Sequence, residues 1–148
     1  MKELRSDIEI QASAERVWQI LTEFASFPQW NPFMRRASGE IRKGARLEVY
    51  IQPSGSRGMT FKPVVLKAEP GRELHWLGRL FIPKLFDGEH ILTIEPLDAN
   101  HVRFVQREIF TGVLVPFFAR SLDTDTQRGF EEMNQALKVR AEQNGEHA

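Results

Sequence analysis

The stretch PFFARSLDTDTQRGFEEMNQALKVRAEQ, residues 116–143, decides the fold. Pro116 suits the first turn of a helix, where its missing N–H leaves no bond unmade. Phe118, Leu122, Phe130, Met133 and Leu137 then recur at spacings of three, four and eight, which keeps them on one stripe. Asp123, Asp125, Gln127, Arg128, Glu131 and Glu132 fill the other faces. The spacing predicts one helix to about Gln143, roughly 40 Å long at 1.5 Å per residue. In a chain of 148 residues, a helix of that length has to cross a whole sheet.

Upstream, the periodicity is that of strands. Leu4, Ile8 and Ile10 share a face of a first strand. Ser13 stands where a helix N-cap belongs, Glu15 suits the first turn, and Val17, Trp18, Leu21 and Phe24 follow at helical spacing. Pro28 disfavours helix in the residue before it, so this helix should stop near Phe24 to Phe27. Gln29-Trp30-Asn31-Pro32-Phe33 reads as an aromatic connection. From Met34 to Thr111, Gly-, Pro-, Asn- and Ser-containing turns separate five segments: residues 45–52, 59–68, 72–82, 89–96 and 101–110. Leu47, Val49 and Ile51 alternate with Glu48, Tyr50 and Gln52, as in a half-buried antiparallel strand. No helical segment interrupts the run, so the expectation is an α+β domain: a curved antiparallel sheet of six to seven strands around the C-terminal helix. Residues 1–148 read as one domain, with 144–148 a frayed tail.

Composition is that of a globular chain: 41% apolar and 27% charged. Lys plus Arg is 20 and Asp plus Glu is 20, a balance that gives no general attraction to nucleic acid. The basic stretch at Arg35, Arg36, Arg42, Lys43 and Arg46 carries no aromatic RNA-binding signature and reads as a solvated face. Gly55-Ser56-Arg57-Gly58 matches a GxxG loop in spacing, but it sits in a hairpin. There is no Cys, which excludes disulfides, thiolate zinc sites and Cys nucleophiles. His75, His90, His101 and His147 lack zinc-ligand spacing, and no Walker, Rossmann, GxSxG or HExxH motif occurs. No metal or cofactor is expected. Neither a signal-peptide core nor a bilayer-length apolar run is present, and a cytoplasmic chain is the expectation.

Glu15-Arg16-Val17-Trp18 and Phe27-Pro28-Gln29-Trp30-Asn31-Pro32-Phe33 resemble the opening of the polyketide cyclase/dehydrase branch of the SRPBCC, or START-like, superfamily. Glu69-Pro70-Gly71-Arg72-Glu73-Leu74 with Trp76 looks like its central hairpin. Gly88-Glu89-His90 and Glu108-Ile109-Phe110-Thr111-Gly112 are similar to its later strands, and residues 129–138 to its C-terminal helix. The resemblance implies a helix-grip fold with a pocket for lipids, polyketides or similar apolar molecules. It does not imply one reaction, since fold is a poor guide to chemistry.

The residues themselves suggest where such a pocket would lie. Trp76, Phe104, Phe118 and Phe130 are bulky enough to hold sheet and helix apart; the bland alternative is that they simply fill the space. His90 is in phase with Leu92 and Ile94, and Glu108 with Val102 and Phe104. A turn at Asp98–Asn100 pairs residue 96 with 102, hence 92 with 106 and 90 with 108. His90 and Glu108 are then inward-facing neighbours with Gln106 beside them. They could act as a general acid/base pair, anchor a ligand hydroxyl or carbonyl, or be a satisfied buried pair. Trp30 and Phe33 could form a lid or plug one end; Leu122 and Met133 would face the pocket from the helix. Val113-Leu114-Val115-Pro116-Phe117-Phe118 could gate the pocket, touch a membrane surface, pack in a homodimer, or be a buried helix start. Three functions follow: a binder or carrier of a small apolar ligand, a cofactor-free cyclase or dehydratase using His90 and Glu108, or a dimeric interaction module with a filled core.

Overall fold

The computed structural model describes residues 1–80 and 82–144. A five-stranded antiparallel sheet has the order β1-β8-β7-β6-β5, with β1 at Lys2–Ile10, β5 at Val64–Glu69, β6 at Glu73–Leu80, β7 at Phe86–Asp98 and β8 at His101–Thr111. A three-stranded sheet, β2 (Met34–Ser38), β3 (Glu48–Ile51) and β4 (Met59–Phe61), continues the wall beyond β5 through an Arg46–Val64 bridge. Helix α1 (Ala14–Thr22) and a helical turn α2 (Phe27–Trp30) follow β1. At the C-terminal end α3 (Val115–Ser121), a π-helical segment Leu122–Thr126 and α4 (Gln127–Asn144) form one uninterrupted helical path. The α+β class, the curved antiparallel wall and the long C-terminal helix are as the sequence predicts.

Four departures have simple causes. The segment 59–68 is two strands, because Lys62 and Pro63 interrupt it and Pro63 has no N–H for a ladder. Met34–Ser38, outside the five segments expected as strands, pairs with β3. Pro28 does not end a helix: it sits in the first turn of α2, where proline is tolerated. The expected strand 72–82 stops at Leu80, with Ile82 in the following bend and Phe81 outside the described residues. Residue 144 is helical, and residues 145–148 of the expected tail lie outside the described residues.

The caps follow the sequence. Ser13 Oγ accepts from Arg16 N at 3.1 Å and starts α1. Asn31 Oδ1 accepts from Phe33 N and Met34 N, at 3.0 and 2.9 Å, and turns the chain from α2 into β2. Of the apolar run before the long helix, Val115 is buried, while Val113 and Phe117 are exposed. Among the described residues, no helix is long and apolar enough to cross a membrane.

Helix α4 packs against β1 and α1. Its Phe130, Met133 and Leu137 are fully buried with Phe27, Phe33 and Phe104. Closest approach occurs at Gly129, where a Cβ would lie 2.2 Å from the ring of buried Phe33. At the other end, the Glu142 carboxylate accepts from Lys138 Nζ and from Gln11 N at 2.6 and 2.9 Å, tying the helix to the β1–α1 connection. Those bonds, that from Lys138 first, hold the Glu142 carboxyl below the usual carboxylate range.

Two outcomes follow. Gly129→Ala should lower stability by about 1–3 kcal/mol in urea denaturation, although alanine is the better helix former; overpacking against Phe33 outweighs propensity. A depressed carboxyl stabilises above its unfolded value and loses that effect as pH falls through the folded one. Glu142→Gln should therefore destabilise at neutral pH, with the difference from the native chain shrinking on acidification in parallel melts.

Candidate functional site

Two consecutive hairpin registers and the long-range pairing of β1 with β8 build the site. The β6–β7 hairpin is symmetric about Pro83 and sets Trp76 opposite His90 and Gly78 opposite Gly88. The β7–β8 hairpin sets His90 opposite Glu108, Leu92 opposite Gln106 and Pro96 opposite Val102. The β1–β8 pairing sets Ser6 opposite Gln106.

His90 is 1% exposed, with its imidazole between two rings, Trp76 at 5.3 Å and Phe130 at 5.2 Å between centroids. Nε2 lies 2.8 Å from Gln106 Oε1. Gln106 Nε2 donates to Asn134 Oδ1 on α4 at 2.9 Å, and Asn134 Nδ2 donates to Ser6 Oγ on β1 at 3.0 Å. The three buried polar side chains are thus threaded through the core by mutual bonds, as burial demands. On the other side of the ring, Nδ1 stands 3.3 Å from Glu108 Oε1 without hydrogen-bond alignment and has no partner. Glu108 is only partly buried. Its Oε2 occupies the space beside Gly88, where a Cβ would lie 2.5 Å away.

Beside this pair is a cavity of about 120 Å³. Its walls include Phe33, Val49, Ile51 and Phe61 from the small-sheet side and Trp76, Gly78, Leu80, Phe86 and Phe110 from the large sheet. Leu122 and Thr126 of the π segment close it from the helix. No Lys or Arg is among the lining residues.

Of the residues singled out from sequence, Phe33, Trp76, His90, Glu108 and Leu122 line this cavity together. Gln106 does not line it but bonds to His90. Leu92, Phe104, Phe130 and Met133 do not line it either; they are buried in the packed core, with Phe130 reaching the site only as the far face against His90. Phe118 is 41% exposed, its ring against Phe86 at 5.3 Å. Its ring rests on the half-buried Phe86 and not in the core, so the stripe that Phe130, Met133 and Leu137 keep does not extend to Phe118. Trp30 sits outside, in a groove beside α4 with Gln135 and Val139. Gly78, Gly88, Thr126, Asn134 and Ser6 were missed. The two glycines had a signal: interior strand glycines mark a close approach or a notch. Among the described residues, no cluster of His, Asp or Glu could hold a metal ion.

A family model for polyketide cyclase / dehydrase and lipid transport matches residues 1–142. The chain belongs to that family. Several solved structures share its fold. The Zhui aromatase/cyclase from Streptomyces sp. R1128 aligns over 97% of this chain and 94% of its own, with 16% identity and a TM-score of 0.77. A START superfamily protein from Mycobacterium smegmatis aligns over 95% and 97%, with 22% identity and a TM-score of 0.73. The di-domain ARO/CYC protein BexL from the BE-7585A biosynthetic pathway aligns over 98% of this chain at 18% identity and a TM-score of 0.73, but the chain spans only 48% of its length. No curated protein sequence matches the chain. At these identities the family's fold is what the structures share with it.

Gln106 is where the polar thread is most exposed to disruption. Gln106→Leu would leave His90 Nε2 and Asn134 Oδ1 unpaired in the core. It should cost about 2–4 kcal/mol in chemical denaturation, more than a volume-conserving apolar exchange elsewhere in the core.

Proposed function

We propose that the chain binds a small apolar molecule in the cavity between the sheet and the C-terminal helix, with His90 and Glu108 at its polar end. The observation that carries this reading is the cavity itself. Its walls are mostly aromatic and aliphatic, His90 and Glu108 stand side by side in them, and space remains between sheet and helix, which favours a binding site over a filled core. A cavity near 150 Å³ is known to accept benzene, so about 120 Å³ fits roughly one ring of a ligand. Burying about 300 Å² of apolar ligand surface contributes about 7 kcal/mol before association costs, enough for micromolar or weaker binding.

A second reading has its own observation. An imidazole beside a carboxylate at the edge of an apolar cavity is the equipment for moving a proton, and the aromatase/cyclases that share this fold make cyclisation of a polyketide-like chain the corresponding reaction. His90→Ala would then abolish turnover while leaving apolar binding intact.

Gly78 separates a working cavity from an incidental one. Gly78 lines the cavity, and a Cβ there meets nothing nearer than 3.9 Å, so the position has room for the start of a side chain. Toluene should raise the thermal midpoint of the native chain, and Gly78→Leu should remove that rise while folding normally. An equal rise in both proteins, or none in either, would defeat the reading.

A further inference from the structure

From the direction of the buried amide thread we infer that the cavity is built for a ligand carrying a hydroxyl donor on its apolar skeleton, a phenol or an enol. The inference rests on the binding reading above and narrows it to a chemical class.

The chain of bonds has a direction. Asn134 Nδ2 donates to Ser6 Oγ, so Asn134 Oδ1 is the atom that receives Gln106 Nε2, and Gln106 is left presenting Oε1 to His90. An amide oxygen only accepts, so the imidazole must donate from Nε2. In a neutral ring that leaves Nδ1 as a lone pair. Nδ1 is fully buried, has no partner, and stands at the cavity edge. Its nearest polar neighbour, Glu108 Oε1 at 3.3 Å, offers further lone pairs and is not aligned with it. Two acceptors therefore converge where the cavity lining holds no cationic side chain to answer them. A ligand acceptor such as a methyl ether gains nothing there, and an anion meets the Glu108 carboxylate. A hydroxyl group satisfies Nδ1 or bridges both acceptors, and the desolvation already incurred by Nδ1 makes that bond worth more than it would be in water. Ser6, Asn134 and Gln106 act as positioning residues, because they reach the ligand only by holding the ring.

The test uses three probes of one shape: para-ethylphenol, para-ethylanisole and ethylbenzene. Each is titrated into nitrogen-labelled protein, and the Trp76 indole and the Gly78 and Gly88 amides are followed by NMR. The phenol should bind about tenfold or more tighter than either analogue. Glu108→Gln provides a carboxamide N–H that can itself satisfy Nδ1, so the phenol's advantage should collapse in that variant. Glu108→Ala leaves Nδ1 bare, and the advantage should persist. Equal binding of all three probes by the native chain overturns the inference while leaving the cavity reading intact. Binding of the anisole as tight as the phenol also overturns it, since the thread would then run the other way and put the proton on Nδ1. No response at these sites to any probe overturns the cavity reading and this inference with it.

Discussion

A buried polar group in an apolar core has to find a partner, and in this chain that requirement is concentrated on the His90 imidazole. The ring is held between Trp76 and Phe130 with essentially no solvent contact. Its Nε2 is answered by Gln106, Gln106 by Asn134, and Asn134 by Ser6. Those four side chains come from β7, β8, α4 and β1, so the bonds exist only when the sheet has its register and the helix its rotation. Apolar packing alone tolerates small slides along a helix; a directional thread with an unmade bond costing about 1–3 kcal/mol does not. Asn134 therefore sets where α4 stands on the sheet as firmly as the stripe of Phe130, Met133 and Leu137 does.

That placement decides how the cavity survives in a core that would otherwise close. At Gly129 the helix comes as near Phe33 as a backbone without a side chain allows, which brings the α4 end of the domain into tight packing. One to two turns earlier the path is different. Leu122 to Thr126 is wound as a π segment, and two of its residues, Leu122 and Thr126, face the cavity. The sequence there, Leu122-Asp123-Thr124-Asp125-Thr126, is poor in helix formers, and the Thr124 hydroxyl bonds back to Arg120 O at 2.9 Å, both of which favour a widened turn. Opposite it, Gly78 and Gly88 leave the floor of the sheet without side chains. Tight packing at one end and missing or rotated side chains at the other leave a space in the middle.

Much of this was legible in the sequence, and what was not had physical reasons. Alternation and the pairing of Pro96 with Val102 were enough to pair His90 with Glu108: the strands shift register beside the turn, between Asp98 and Pro96, and from Pro96 onward the pairing runs unbroken with side-chain phase of period two. The long helix was legible from its stripe, but its π segment was not. The spacing of eight between Leu122 and Phe130 would leave them about 80° apart on a regular helix, and the wider turn takes up that difference, so that Leu122 is buried on the same side as Phe130 and Met133. Phe104 and Leu92 share the phase of His90 and Glu108 and still do not line the cavity, since phase tells which face a residue lies on and not how far along the strand the cavity extends. Asn134 was read past because a polar residue on a helix is ordinarily at the surface; only the sheet brought against it reveals that it is 2% exposed and bonded twice.

Binding and catalysis are less opposed at this site than the two names suggest. The first contact a hydroxylated ligand would make is its O–H on His90 Nδ1 or Glu108, and the same proton is the one a cyclase or dehydratase would have to move. Whether such a contact goes on to chemistry depends on what lies beyond it: a ligand long enough to bring a second reacting carbon within bonding distance, and walls that bend it there. A cavity of about 120 Å³ lined by Phe33, Phe61, Trp76 and Phe86 holds roughly one ring and leaves a longer ligand to extend past the rim. The rim, not the His90–Glu108 pair, is therefore where a carrier and a catalyst built on this frame would differ. Partly exposed Phe61, Leu80 and Phe86 are the side chains placed to make that difference.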